Sequence, residues 1–330
     1  MARLTFWIIL ACSLFSGYWF VATRALNNAL SDGIAAAQAD GWQIDYQGLE
    51  TTGFPGDFDV SASDIVIGAA DGQWAWQGPA LKLQAPSTAP TRITIDLPQA
   101  QTLRLGDQTL RIASNKLSVS GATALTAALD FDAASITAQE TQVRSSLGWQ
   151  ASVDDLISTA TKKPDADTTY DIDLTTTGLT IPAALLADIS PQGALSNTIN
   201  SITLDSEVTL TTPLDRFSFD GQGADPALEM LRLSGLEVIW DNITISAAGN
   251  LDVDSEGVPN GRITIQTAQW EALIDIAMGT GAVDARIEQP LRSGARALVD
   301  GDGVLTLPIT FNQGIMMMGF LPLGPAPRFR

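Results

Sequence analysis

The sequence contains no histidine, one cysteine and few basic residues, although it is 330 residues long. Without histidine there is no Ser-His-Asp or Cys-His catalytic group and no histidine-ligated zinc, and one cysteine cannot form a CxxC site. Lysine and arginine number 18 against 37 aspartates and glutamates, which gives a net charge of −19. Because nucleic-acid binding begins with basic side chains that neutralise phosphates, this composition argues against a nucleic-acid partner.

What the sequence does contain is enough apolar material for a large folded core. Hydrophobic residues make up 45% of the chain and charged residues 17%, a balance that argues against global disorder. The length suits two average domains or one elongated β-rich domain.

The strongest local pattern is an uncharged run near the N-terminus. Residues 4–22 contain no charged side chain and have an arginine on either side. As a helix, this run would span about 28 Å, close to the hydrocarbon thickness of a bilayer. A tryptophan lies near one end, and Tyr18 and Trp19 lie near the other, as in the aromatic belts of membrane helices. We therefore predict that residues 1–24 form a single membrane anchor.

This run has two alternative interpretations. A cleaved signal peptide should have a shorter apolar core and a small-x-small cleavage site, whereas residues 20–24 provide only a poor one. Cys12 could be a lipoprotein cysteine, but the apolar run continues well beyond it, so a small apolar residue in a membrane helix is the simpler account. An uncleaved signal-anchor is favoured, and a cleaved signal is the alternative.

The anchor also predicts where the rest of the chain lies. A single span with a minimal N-terminus predicts an inner (cytoplasmic) membrane protein with its bulk in the periplasm, because large domains translocate largely regardless of charge. Residues 25–40 are rich in alanine and are predicted to extend the helix out of the membrane until Gly41 stops it. Residues 41–330 form the exterior region.

Beyond the helical extension, the dominant hydrophobic period is two. Tyr170, Ile172 and Leu174 alternate with Asp171 and Asp173, and comparable alternation recurs in several other segments. This pattern is typical of antiparallel strands with one buried face and one wet face. We predict a mainly β fold with a few α-helices, built as one or more elongated, curved antiparallel sheets behind an N-terminal transmembrane helix.

A few segments interrupt this period. Helical spacing of apolar residues, or a proline in a first turn, predicts short helices at residues 149–157, 182–189, 226–233 and 270–277. The polar stretch 161–169 is the best linker candidate, so the β-rich region could form two lobes divided there.

One acidic segment resembles the opening of a calcium-binding loop. Asp252, Asp254 and Glu256 alternate before Gly257, but the twelfth position, where a bidentate glutamate belongs, holds Ile263. Apolar alternation into and out of this segment favours a simple hairpin. We therefore predict no metal site here.

Acidic residues also raise the question of carboxylate catalysis. Asp154 and Asp155, together with the aspartates between residues 165 and 173, could supply an acid and base pair for glycoside chemistry. Most of these residues occupy outward positions of strands, so a solvated face is the favoured interpretation.

Three apolar segments are unusual for a soluble β protein. Aromatic residues cluster with turn formers near residues 53–58 and 74–79, and residues 314–325 are almost uncharged. Core packing, with methionine filling gaps, is the simpler interpretation for each residue. The functional alternative is an apolar groove for acyl chains, which would be formed by Phe54, Phe58, Trp74, Trp76, Met316, Met318 and Phe320.

Several of these segments resemble a bacterial envelope family known as domain of unknown function 2125. Besides the N-terminal segment, the resemblance is carried by Gly53-Phe54-Pro55 with Phe58, Trp76-Gln77-Gly78-Pro79, Trp240, Gly249-Asn250-Leu251-Asp252 with Gly257 and Gly261, and Leu307-Pro308 to Pro327. It covers most of the chain after residue 40. The family has no assigned activity, so the resemblance implies no catalytic residue. An anchored β-rich chain also resembles the AsmA-like proteins, which are linked to lipid traffic and outer-membrane upkeep.

These observations lead to one expected function and two alternatives. We expect a nonenzymatic, membrane-anchored protein, without cofactor, that binds lipid or lipoprotein acyl chains in maintenance of the cell envelope. The first alternative is an envelope scaffold that binds another protein through its sheet edges or its acidic face. The second is a hydrolase that uses paired carboxylates.

Overall fold

The computed structural model describes the backbone of residues 2–190, 195–218, 225–279, 281, 283–319 and 321–329, and the side chains of these residues from 16 onward except that of Ala285. Within these residues the chain forms seventeen strands and four α-helices. Every strand pairing whose register is described is antiparallel. The predicted mainly β class is confirmed.

The helices and strands follow one another along the chain with short connections. The helices are α1 (Ala2–Ala39), α2 (Ala183–Ile189), α3 (Trp270–Gly279) and α4 (Glu288–Leu298), the last preceded by a 3₁₀ turn at Ala285–Ile287. The strands before α2 are β1 (Gln43–Thr52), β2 (Asp57–Gly68), β3 (Trp74–Pro86), β4 (Arg92–Asp96), β5 (Ala100–Leu105), β6 (Gln108–Ala113), β7 (Lys116–Thr123), β8 (Phe131–Ser145), β9 (Gln150–Lys162) and β10 (Thr169–Thr180). The strands after α2 are β11 (Thr198–Leu210), β12 (Leu228–Trp240), β13 (Ile243–Val253), β14 (Pro259–Thr267), β15 (Leu305–Asn312), β16 (Ile315–Met318) and β17 (Leu321–Pro325).

The chain divides into two compact units. Unit 1 comprises residues 1–122 and 143–148, and unit 2 comprises residues 123–142 and 149–330. Residues 161–169, the predicted linker, connect β9 to β10 inside unit 2.

Unit 1 is built on a meander that follows α1. Strand β2 pairs with β1 on one side and β3 on the other, and β3 pairs with both β4 and β5. The buried side chains of this meander come from alternate positions, including Phe58 and Val60 of β2 and Ala85 of β3. The residues at alternate positions of each strand therefore form the inner face of the sheet, as expected for antiparallel strands that expose their other face to solvent.

Unit 2 contains a longer meander in which consecutive strands pair in order from β9 to β17. Helices α3 and α4 pack on part of one sheet face, where Ile274, Leu291 and Ala295 join Leu305 and Leu307 in a buried cluster. A second cluster contains Leu195, Trp240 and Ile243, and residues of α2 and α3 pack against it.

Two of the four predicted short helices are confirmed, and two are wrong. Helices α2 and α3 lie where proline and apolar spacing place them. Of residues 149–157, all but Trp149 instead belong to β9, where Leu156 is half-buried and Ile157 is exposed. Apolar residues on both faces of this strand imitate helical spacing. Residues 226–233 run into β12, in which Leu231 and Leu233 lie two apart on one face.

The structure also contains a helix, α4, that the spacing of apolar residues in the sequence did not predict. In α4, the buried residues Leu291 and Ala295 are four apart and face the sheet. The other positions are mostly polar or small, among them Glu288, Arg292 and Gly294, so the buried apolar stripe is only one residue wide in each turn.

Helix α1 continues through the predicted extension and ends before Gly41, as expected. The predicted membrane span, residues 4–22, has the side chains of its residues 4–15 outside the described part of the structure. Among the described residues, no helix has both the length and the apolar character required to span a bilayer. The membrane anchor therefore stays a prediction.

Candidate functional site

The candidate site is the apolar face of the unit 2 sheet. Antiparallel register places directly paired residues of neighbouring strands on the same face, so rows of side chains run across the sheet. One row is Leu174, Leu204, Leu236, Ala247, Ile265 and Leu307. The next row is Ile172, Ser206, Leu233, Gly249, Ile263, Ile309 and Met318. A third row is Tyr170, Val208, Leu231, Leu251, Gly261, Phe311 and Met316.

This face is covered unevenly. Its β15 and β16 end, with Leu307 and Met318, is buried beneath α3 and α4. On β10 to β12, however, apolar side chains including Leu174, Leu204 and Leu233 are only half-buried. Apolar area that remains in contact with water favours any ligand that covers it, so this part of the face is a candidate surface for an apolar ligand.

Phe54 and Phe58, two of the predicted ligand residues, meet at an aromatic cluster in unit 1. The ring of Trp19 in α1 lies edge-on to Phe54 at 5.2 Å and is stacked with Phe58 at 6.1 Å. Phe58 is only 3% exposed and belongs to the core, whereas Phe54 is 52% exposed. The two phenylalanines are therefore brought together, but only Phe54 presents an accessible surface.

Trp74 and Trp76, also predicted ligand residues, are half-buried on β3 of the same unit. Trp74 contacts the ring of Trp42 edge-on at 5.7 Å. The indole Nε1 of Trp76 donates a hydrogen bond to Oε1 of the buried Gln101 at 2.5 Å. Since its polar atom is satisfied inside the protein, Trp76 behaves as a packed residue of the sheet.

The predicted residues of the C-terminal segment lie in unit 2. Met318 is 6% exposed and contributes to the cluster under α4. Met316 is half-buried and lines a cavity of about 760 Å³ together with Arg286, Pro322, Leu323 and Pro325. Phe320 lies outside the described residues. Met316 is thus the one described residue of this segment that combines the predicted role with an accessible cavity.

The opposite face of the same sheet is polar. A cavity of about 690 Å³ lies over β10 to β14, and its lining includes Asp173, Asp205 and Glu237. Asp173 and Asp205 are directly paired across β10 and β11, and both are exposed. This surface offers hydrogen bonds and negative charge, so it would suit a polar or cationic partner.

Carboxylate catalysis needs acidic groups whose environments separate their pKa values, which usually requires burial. Among the described residues, no aspartate or glutamate is buried. Asp155 is exposed and accepts a long hydrogen bond from Gln139 at 3.4 Å, while the neighbouring Asp154 is also exposed. The described part of the chain therefore provides no buried carboxylate pair in a pocket.

The segment that resembles a calcium loop forms the β13 to β14 hairpin, as predicted. The carboxylate oxygen Oδ1 of Asp254 accepts hydrogen bonds from the backbone N–H groups of Glu256 and Val258, both at 2.9 Å. No group of three acidic or cysteine ligands comes together in the described residues. The acidic side chain that begins this turn thus acts as a turn-forming residue.

Ion pairs among the described residues of unit 2 shift pKa values. The hydrogen bond from Lys163 lowers the pKa of Glu207 and raises the pKa of Lys163, and Asp171 lies 3.4 Å from the same ammonium. At the cavity beside Met316, hydrogen bonds from Arg286 lower the pKa of Asp284 to about 2. Asp284 is therefore a carboxylate at neutral pH, and it neutralises the arginine at that rim.

Sequence patterns did not single out the central residues of the apolar face as a site. Leu233 falls in the segment 226–233, for which the sequence predicts a helix. The signal that could have found these central residues is the number of consecutive strands whose inward positions are mainly apolar. The contact of Trp19 with Phe54 was also missed, because residues so far apart in the sequence leave no local pattern.

The fold and the candidate surface define a class: a mainly β protein whose antiparallel sheet in unit 2 has one polar face and one partly uncovered apolar face. The family model described as "Uncharacterized protein conserved in bacteria (DUF2125)" matches residues 19–327. The chain belongs to this family, and the resemblance seen in its sequence is confirmed. No curated protein and no solved structure shows significant similarity to the chain.

Proposed function

We propose that this chain is a nonenzymatic envelope protein that binds lipid or another apolar ligand on the apolar face of unit 2. Residues 4–22 would anchor it in the cytoplasmic membrane, with the two units in the periplasm. The observation that carries the proposal is the group of half-buried apolar side chains on β10 to β12.

An acyl chain suits this surface for a physical reason. Each methylene removed from water contributes about 0.8 kcal/mol, and binding needs no directional contact. The row of Leu174, Leu204 and Leu236 supplies a continuous apolar strip, because the register keeps these side chains on one face of adjacent strands. A headgroup could remain in water.

The adjacent positions Leu204 and Thr203 on β11 allow a direct test, since they point to opposite sheet faces. A photo-crosslinking amino acid would be placed at each position in turn in the full chain, and cells would be irradiated. The proposal expects a lipid adduct on the peptide that carries position 204, identified by mass spectrometry, and none at position 203. A lipid adduct at neither position, or equally at both, would contradict binding on the apolar face.

A scaffold that binds another envelope protein is the second proposal, and the acidic cavity on the polar face favours it. Asp173, Asp205 and Glu237 could pair with basic side chains of a partner. The same experiment separates the two proposals, because a scaffold should give one reproducible protein adduct at position 203 and no lipid adduct at position 204.

A further inference from the structure

Helix α1 is joined to the loops of unit 1 at two neighbouring residues. The hydroxyl of Tyr18 donates to the carbonyl oxygen of Ser87, and Nε1 of Trp19 donates to the carbonyl oxygen of Asp57, each at 3.2 Å. These side chains lie at the end of the predicted membrane span. The loop between β1 and β2 and the connection after β3 are therefore held beside that end of the helix.

The β1–β2 loop carries an exposed aromatic ring at this place. Phe54 packs edge-on against Trp19 but keeps 52% of its surface exposed. Phe58, at the start of β2, stacks on the same indole from within the core and fixes its position. The exposed ring is thus supported by a rigid contact instead of projecting from a free loop.

The helix beside Phe54 is also apolar and exposed. Phe20 is 64% exposed and Val21 is 67% exposed, and both belong to the uncharged run that begins at residue 4. Contiguous exposed apolar groups on a soluble surface are unfavourable and mark an interaction site. Continuity with the predicted span indicates that the missing partner is the lipid bilayer.

The chemistry of the cluster fits the interfacial layer of a membrane. Tryptophan and tyrosine favour this layer because their rings are apolar while their N–H and O–H groups need polar partners. Here those partners are the backbone carbonyls of unit 1. The exposed Asp57 lies next to the cluster and would be repelled by anionic headgroups, so a zwitterionic surface fits best.

We propose that the loop of residues 53–56 is a second membrane contact, which inserts Phe54 into the headgroup layer beside α1. This inference rests on the proposed anchoring by residues 4–22. It extends that proposal, because it makes one edge of unit 1 lie on the bilayer surface and gives Phe54 a lipid surface as its partner instead of a ligand in a groove.

The test uses the full chain in phosphatidylcholine vesicles, with the native thiol removed by Cys12→Ser. An environment-sensitive fluorophore would be attached through Phe54→Cys, and the matched control would be attached through Leu147→Cys, at a position of unit 1 that is 71% exposed. Brominated phosphatidylcholine is expected to quench the probe at position 54 severalfold more than the probe at position 147. The emission of the former should also shift to shorter wavelength.

Alkaline carbonate extraction of the same vesicles distinguishes the two proposals. If the chain resists extraction and position 54 is no more quenched than position 147, the loop inference is overturned and the anchor stands. If the chain is extracted, both fail. A fold control comes from Phe54→Leu, which leaves residues 4–22 unchanged and should therefore keep carbonate resistance, while loss of the ring contact with Trp19 should lower the unfolding temperature only slightly.

Discussion

Phe329 donates its backbone N–H to the carbonyl oxygen of Gly257 at 2.9 Å, which joins the C-terminal residues to the β13–β14 turn. Gly257 has φ of +78°, and a Cβ built there would collide with the carbonyl oxygen of Phe329. Glycine is therefore required at this turn by the backbone conformation and by a close approach of the chain.

A second turn of unit 2 provides a matched control for this position. In the turn that ends at Gly303, Oδ1 of Asp300 accepts hydrogen bonds from two backbone N–H groups, as Asp254 does in the β13–β14 turn. Gly303 has φ of +81°, but a Cβ there would contact nothing within 4 Å. The two glycines thus share a left-handed backbone conformation, but only Gly257 has another part of the chain, Phe329, in close contact.

Gly257→Ala should destabilise the chain more than Gly303→Ala. Both variants should lose about 1–2 kcal/mol from the left-handed backbone, and only the first must also displace Phe329. Urea unfolding of the full chain in detergent measures the difference. Equal losses would show that the contact with Phe329 contributes nothing to stability.

The hydrogen bond of Trp76 to the buried Gln101 gives a second prediction. Replacing Gln101 by methionine keeps the volume but removes the acceptor of the indole N–H, so we expect a loss of about 1–3 kcal/mol. Gln77→Met, at an exposed position of β3, should change stability by about 0.5 kcal/mol or less. Thermal unfolding of the two variants would compare them, and similar melting temperatures would contradict the prediction.

Methionines 316 and 318 should respond differently to truncation. Met318 is buried under α4, so Met318→Ala should leave a cavity and cost about 2–5 kcal/mol. Met316 lines an accessible cavity, and Met316→Ala should cost clearly less. The free energies of unfolding in urea test this order. If the order is reversed, the side chain of Met316 is the more important one for packing.

Alternation along single strands could be predicted from the sequence where one face is buried and the other is wet, as in β10. It is less regular in β12, where a register irregularity between Leu233 and Leu236 breaks the period of two. The short helix over residues 226–233 is predicted from the proline in its first turn, a local signal, and strand pairing on both sides overrides such a local preference.

The candidate site was harder to predict than the fold. Composition and apolar segments pointed to Phe58 and Met318, which are core residues, because burial depends on what packs against a residue and not on its own type. The apolar face could be recognised only once the register placed Leu174 and Leu204 side by side. Likewise, the contact between Phe54 and Trp19 could be recognised only in the folded structure, which brings the two rings together.

The ion pair of Lys163 and Glu207 should make stability depend on pH at both extremes. Hydrogen bonding to Lys163 lowers the pKa of Glu207 from its ordinary 4.5, so the carboxylate's contribution is complete above that value and is lost as pH falls through the lower value of the folded state. The pKa of Lys163 is raised from 10.5, so its contribution is complete below that pH and is lost as pH rises through the higher folded-state value.

Glu207→Gln isolates this dependence, because it removes the charge and keeps the shape. Native stability minus variant stability should be constant between those two limits and should shrink below the ordinary pKa of glutamate. Urea unfolding of both proteins from neutral pH to about pH 3 provides the measurement. Thr203→Ser, at an exposed position of β11 four residues before Glu207, removes no titratable group and serves as the control, so its effect on stability should not change with pH. A difference that persists unchanged at low pH would mean that the Glu207 carboxylate gains no stability from Lys163.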